Sequence, residues 1–469
     1  MDGKKAIIAG AGITGLSAGW KLSGEGYGVT LFEREDHIGG LAHTFQHGKH
    51  RLDFGPHKLF TVMGHVMREI RTLIGDEMLT IQKRSRIRLK GRYLNYPVGV
   101  KDLFMGINPV IGMRCGLSYA ITALKNLRGT PRDASYRDWI TNRFGVEIFD
   151  LVFGPYAQKI WGDPDTLSKE LAETRVAVPD LFQMIKQMVL GLEKDGVVMS
   201  ADEFFYPRDG IVTLANRMAE RVEKNGGTIS LARAITKIHH QNNRITGLEI
   251  GDTSMTVREG DVFVSTIPLK VFSRLLSPSP PNFVVEAIGA LTTRNLILLY
   301  LVIDKERVSL DNWIFFPGEE YIFNRIFEQK GFSSYMIPRE ETVLCLEITC
   351  GSDDPMWHES KEILYKRVIA QLEECGLVKR QEVKEYFMIR LKDVYQIYDR
   401  DYRKHKNLVM RYCDGFENFY TVGRHGAFNY VGMADCMDMG FRVAAHIVHS
   451  PTKSREAMRD AFESYVVID

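Results

Sequence analysis

The sequence predicts an α/β fold: a parallel sheet assembled from separated stretches of chain, with helical and antiparallel β segments interleaved between them. Three observations predict it. KKAIIAG (4–10) is a short apolar run ending in glycine, LSAGWKLSGEGY (16–27) has helical spacing, and VTLFE (29–33) reads as a second buried strand. In that order they make a βαβ unit, since parallel strands need a crossover and a helix commonly supplies it. Next, 64–200 is mainly helical in pattern, with HVMREIRTLI, the 105–125 segment, SYRDWITNRFGVEIFDLVF and LFQMIKQMVLGLEK as its expected helices. Finally, strand patterning returns late, as a β-meander over 228–269, a strand-rich block over roughly 294–350 and FYTVG (419–423).

The first turn carries the chemistry. GAGITG (10–15) joins strand to helix, and each glycine has a mechanical reason. Gly10 permits the tight turn, Gly12 lets backbone approach a pyrophosphate, and Gly15 lets the helix pack close to the strand. Ile13 and Thr14 open the helix, whose N-terminus offers unpaired N–H groups and partial positive charge to phosphates. Glu33 ends the next strand, where a carboxylate accepts hydrogen bonds from ribose hydroxyls. Strand, glycines, helix and acid together form a Rossmann-type dinucleotide fingerprint. EREDHIGGLAHT (33–44) then adds a second glycine pair, Gly39-Gly40, before Leu41. A second close approach of backbone suits a long cofactor held along its length, which favours FAD over NAD.

The remaining elements set the domain boundaries. FAD-binding segments are expected at 1–63, 204–270 (with an amphipathic helix at 211–223) and 415–469 (with a helix at 433–449). Between them lie a mainly helical substrate domain, 64–203, and an antiparallel β substrate or cap domain, 271–414. MGINPVIGMRCGLSYAITAL (105–124) is the most membrane-like stretch, but Asn108, Pro109 and Arg114 interrupt it. A spanning helix needs about 20 predominantly apolar residues, so this one is expected to be a buried helix, with no transmembrane segment.

Composition narrows the partners. The 469 residues carry 61 basic and 59 acidic side chains, a net charge of +2, so no global field draws nucleic acid or anionic lipid. A small-molecule substrate remains, held by a local cluster of charge. The six cysteines show no CxxC pair and read as free thiols, and Cys345 and Cys350 fall on opposite faces of one strand. No secretory signal pattern is present, and a cytoplasmic location is expected. His239-His240 lies in a strand pattern without further ligand spacing, so no metal site is expected.

DFGPHKLFT (53–61) places a titratable ring after a Gly-Pro turn. FGPHKLFT (54–61), KGRYLNYPVGVKDLF (90–104), FGPYAQKIWGDPDTLS (153–168), FFYPRDGIVTLANRM (204–218), FNRIFEQKGFS (323–333) and VGRHGAFNYVGMAD (422–435) occur in that order. In this succession the chain resembles UDP-galactopyranose mutases, and its first forty residues resemble flavoproteins of the amine oxidase and protoporphyrinogen oxidase type. The resemblance implies FAD lying across the sheet, with its ring under the inserted helical domain. It places His57 beside the ring, titrating near neutral pH, and gives Arg325, Arg424 and Tyr430 contacts with substrate or cofactor phosphate. Gly423, Arg424, Tyr430 and Met433 would contact the cofactor, and Tyr156 and Trp161 would line the substrate cleft. Without the resemblance, Arg325 reads as a strand arginine paired with Glu328.

The chain also departs from the mutase pattern. Ile348 stands where the family has tyrosine, Asn429 replaces an arginine, and Ala434 occupies the position of an aspartate, with Asp435 one place later. No second substrate arginine is evident downstream of Arg175. Part of a diphosphate clamp is therefore expected to be missing. Two chemistries stay open: isomerisation of a nucleotide- or phosphate-linked sugar, and FAD-dependent oxidation of a small organic substrate by hydride removal. A flavin-bound structural or sensor protein is the third class.

Overall fold

The computed structural model describes residues 3–98, 106–127, 129, 131–176, 202–463 and 465. Strand β1 (Lys5–Ala9), helix α1 (Ile13–Gly24) and strand β2 (Gly28–Phe32) form the βαβ unit. β1 pairs in parallel with β2 on one side and with Val262–Ser265 on the other. Thr228–Ser230 and Phe419–Thr421 complete a five-stranded parallel sheet at its two edges. Helices cover it: α1 crosses Met433–His449 so closely that a Cβ on Gly440 would come within 2.6 Å of the Ser17 Cβ. Val212–Lys224 packs beside them, with the Ser17 hydroxyl 3.2 Å from the Met218 sulfur. Apolar runs buried on both faces are what a parallel sheet between helices requires.

A seven-stranded sheet stands beside this layer. Its order is Val383–Gln396, Thr293–Ile303, Thr342–Cys350, Arg325–Glu328, Trp313–Phe315, Ser85–Leu89 and Arg92–Asn95. Its last two strands come from the stretch expected to be mainly helical, as does Met78–Gln82, which pairs antiparallel with Glu203–Pro207. Helical patterning over 64–200 is therefore interrupted: RIRL and YLN alternate too briefly to compete with the helices on either side. The β-meander splits as well. Ile235–Gln241, Arg244–Ile250 and Thr253–Thr256 form an antiparallel unit, whereas the strands flanking them belong to the parallel sheet.

The 105–125 segment corrects a second expectation. Its helix runs over Pro109–Asn126 with the Asn108 side chain capping its N-terminus, yet only Gly112 and Cys115 are buried on it. Among the described residues no helix is long and apolar enough to cross a membrane. The expected helix LFQMIKQMVLGLEK (181–194) lies outside the described residues. All six cysteines are buried and unbridged.

The hairpin Thr44–His47/His50–Asp53 leads straight into the Gly-Pro-His turn. Asp53, 1% exposed, fixes the end of that hairpin. Its carboxylate accepts from the Thr44 hydroxyl at 2.6 Å, from the Tyr206 hydroxyl and from the Ile211 N–H at 3.4 Å. Its own N–H donates to Gln329 and its carbonyl accepts from Tyr300. Five partners, from the hairpin itself, the Glu203–Pro207 strand and the residue before the Val212–Lys224 helix to Tyr300 of the seven-stranded sheet and Gln329 beside it, thus lock the residue four positions before His57.

Candidate active site

One cleft runs from the α1 N-terminus to the seven-stranded sheet. Gly12, Ile13 and Thr14 line one end, Gly39, Gly40, Leu41 and Ala42 the next stretch, and Phe54 to His57 its middle. Gly12 and Gly39 bridge as a one-rung parallel pair, and the Gly39 N–H donates to the Ala11 carbonyl at 2.9 Å. The two glycine motifs therefore make a single surface. A Cβ on Gly12 would meet nothing within 4 Å, so it would project into the cleft. Gly10 and Gly15 do different work outside the cleft lining. A Cβ on Gly15 would lie 2.0 Å from the Gly10 carbonyl oxygen, and Gly10 (φ +98°) turns against Thr266. Glu33 is also absent from the lining: its carboxylate accepts from the Ala11 N–H at 2.8 Å and the Glu35 N–H at 3.1 Å, bracing the turn.

His57 lies in the middle of the cleft, with its Nδ1 buried and without a protein partner. Burial and the neighbouring Arg325 charge push its imidazole down to about 4. The expectation of a ring titrating near neutral pH is corrected: desolvation keeps this histidine uncharged.

Arg325 sits directly opposite Glu347 across two antiparallel strands. Its Nε lies 3.0 Å from Oε2 and its Nη2 2.9 Å from Oε1, a two-pronged pair. Glu328 is not its partner; that carboxylate accepts instead from Thr342 and the Val308 and Ser309 N–H groups. Arg424 also lines the cleft, but its N–H groups are committed to the Val394 and Val431 carbonyls, at 2.7–3.2 Å. It acts as a brace whose flat face lies 4.7 Å from the Tyr430 ring centre.

Arg175 is marked in the sequence only as the point after which no second substrate arginine is evident. It is itself in the cleft, stacked 3.3 Å from the Tyr430 ring centre and donating to the Tyr430 carbonyl. Its Nε is buried without a partner. Tyr430 is thus held between two guanidiniums. Tyr156 and Trp161 line the cleft as expected, and the Trp161 indole N–H reaches towards the Tyr430 hydroxyl at 3.5 Å. Tyr96, Phe315 and Tyr395 add to the aromatic wall, and none of them stood out in the sequence. Gly423 and Met433 line the cofactor end; Gly423 (φ +94°) packs its backbone against Thr14.

The residues fit FAD by the chemistry of their donors. The cleft offers a helix N-terminus with an open glycine, a second glycine pair, and an orphaned imidazole nitrogen further along. The chain belongs to the flavin-containing amine oxidoreductase family, whose model matches residues 13–448. It is an FAD-dependent flavoenzyme of that family. The solved structure of reduced UDP-galactopyranose mutase superposes with a TM-score of 0.83 at 18% identity, covering 99% of this chain and 98% of that one. A protoporphyrinogen oxidase-type protein from Exiguobacterium sp. 255-15 gives a TM-score of 0.74 at 18% identity, over 95% of this chain and 99% of its own. In sequence, the 1-hydroxycarotenoid 3,4-desaturase of Flavobacterium sp. (strain P99-3) is 24% identical over 282 residues. That match spans 52% of this chain and about half, 53%, of the desaturase.

Proposed function

We propose that the cleft binds a substrate with a phosphate or pyrophosphate group next to a sugar ring, and that the enzyme rearranges this activated sugar. The observation that carries the reading is charge: among the described residues three guanidiniums line the cleft against a single carboxylate, Glu347, and one of them has a buried, unpartnered Nε. Buried positive charge in excess needs an anionic ligand. Arg175 and Arg325 would hold the phosphate oxygens, since a planar fork matches them. Glu347 fixes the direction of Arg325, and Arg424 braces the loop that presents Tyr430. Trp161, Tyr156, Phe315 and Tyr395 would wall the sugar and exclude water.

Gly12, Ile13, Thr14, Gly39, Gly40, Leu41, Gly423 and Met433 would hold FAD, with His57 as an uncharged neighbour of its ring. Bound FAD supplies either an electron-rich reduced ring able to act as a nucleophile or an oxidised ring able to accept hydride. The second reading is hydride removal from a small, less charged substrate. It is favoured by a wall in which aromatic rings outnumber charged groups, and by the oxidoreductase and desaturase chemistry named for the family and a relative.

The experiment separates them by electron count. Purified holoenzyme is first titrated with inorganic pyrophosphate and with UDP while flavin absorbance is followed. A saturable change, weakened at least about tenfold in Arg175→Ala, supports the anionic cleft; equal responses in both proteins sink it. Nucleotide sugars are then offered with and without dithionite. Turnover only after reduction, with no net electron transfer, supports rearrangement. Bleaching of the flavin by a substrate without reductant supports oxidation instead.

A further inference from the structure

The Pro109–Asn126 helix presents an apolar row to solvent. Val110, Met113, Leu117, Ile121, Leu124 and the following Leu127 are 45–83% exposed. At 100° per residue they fall within one arc of about 120°. Six large apolar side chains on one exposed face exceed the scattered single residues that need no explanation. Charge is distributed to match. The helix has no acidic residue, and its two basic ones, Arg114 and Lys125, lie together along one flank of the row. Residues 101–132 hold five basic residues (Lys101, Arg114, Lys125, Arg128 and Arg132) against one acid, Asp102. That local +4 leaves the rest of a chain of net +2 slightly acidic. Among the described residues the carboxylate paired with this flank is Glu147, 2.9 Å from Arg114.

We propose that this face docks the protein on an anionic lipid surface, as an interfacial helix that lies in the headgroup plane and does not span. An apolar face with basic residues at its flank, from which the long stems let the charges reach headgroups, is the pattern of such helices. A second copy of the chain fits less well. An 18-residue helix is about 27 Å long, and one face about 10 Å wide offers roughly 300 Å², well below the roughly 800 Å² per partner of a stable interface. A bilayer imposes no such minimum, because affinity grows with buried apolar area and with each basic residue near the surface. The inference stands apart from the proposed substrate.

The full-length holoenzyme is mixed with vesicles of phosphatidylcholine alone, or with about one third phosphatidylglycerol, and floated on a density gradient. The expected result is flotation with the anionic vesicles that weakens in high salt, as screening requires. Leu117→Glu combined with Leu124→Glu should cut flotation at least about tenfold while flavin absorbance and thermal midpoint stay unchanged; both side chains are 63% exposed. Lys125→Glu alone, which leaves the apolar row intact, should weaken binding to anionic vesicles. Failure of the wild type to float, flotation unaffected by any of the variants, or a solution dimer that these variants dissociate would each overturn the proposal.

Discussion

Replacing Asp53 by asparagine changes a charge without changing a shape. Burial lifts the Asp53 carboxyl from 3.8 to about 6, against the lowering effect of the Thr44, Tyr206, Ile211 and Gln329 hydrogen bonds. A carboxyl with a raised folded value binds its proton more tightly folded than unfolded. Its contribution to stability is therefore full below about pH 4 and is lost as pH rises through about 6. At about 1.4 kcal/mol for each tenfold, the complete loss is roughly 3 kcal/mol, of which roughly 2 kcal/mol falls between pH 4.5 and 7.5. Because the group is fully enclosed, no allowance for solvent screening is needed. The asparagine amide cannot titrate, so hydrogen bonds weakened by the exchange cost the same at every pH. Urea denaturation of wild type and Asp53→Asn, with FAD fixed in excess, then gives a difference curve in which every other titrating group cancels. The expected curve moves in favour of asparagine by roughly 2 kcal/mol from pH 4.5 to 7.5. A difference flat with pH, or one of opposite slope, would refute the claim that this residue carries a buried charge at neutral pH.

Three further outcomes follow from the cleft. Gly12→Val should fold but emerge colourless, because the new side chain enters open cleft space, whereas Gly15→Ala should lower the thermal midpoint, because its methyl meets the Gly10 carbonyl at 2.0 Å. Absorbance near 450 nm and a melting curve tell the two apart. His57 loses its charge above about pH 4, so His57→Asn should reduce turnover without removing any limb of the pH–rate profile between pH 5.5 and 8; a limb that vanishes with the histidine contradicts the burial account. Arg325→Lys keeps the charge but breaks the two-pronged pair with Glu347, and should weaken pyrophosphate binding about tenfold, or about 1.4 kcal/mol, with flavin retained. Unchanged affinity would remove Arg325 from the anion site.

Local physics explains what the sequence made legible. The glycine turn, α1, β2 and the Met433–His449 helix depend on residues within a few positions of one another, and each was readable. The cleft wall was not. Tyr395, Glu347 and Phe315 meet there only because their strands are alternate members of one sheet, and strand order is invisible to periodicity. Arg175 carried a weak signal, a basic residue in the last turn of a short helix, that could equally be a surface C-terminal charge. The exposed helix failed for another reason: an apolar run reads the same whether protein or something outside the protein covers it.

The departures from the mutase pattern look different once their neighbours are known. Ile348 follows Glu347 on one strand, so its side chain points to the opposite face. There it is fully buried with Ile297, Leu364 and Val368, and a tyrosine at 348 could not reach the cleft that Tyr395 already lines. Asn429 is equally removed: it accepts from the buried Lys406 ammonium at 2.6 Å, behind Tyr430 rather than beside a ligand. Burial pushes that lysine down to about 8, so a cation does persist near position 429, though one supplied by the Tyr402–Asp414 helix. Asp435 accepts the Gly432 N–H at 2.8 Å and caps the last long helix. With Arg175 inside the cleft, none of these substitutions subtracts charge from the substrate side. The case for a less charged substrate therefore loses the support of these substitutions, and rests on the aromatic wall and on the chemistry named for relatives.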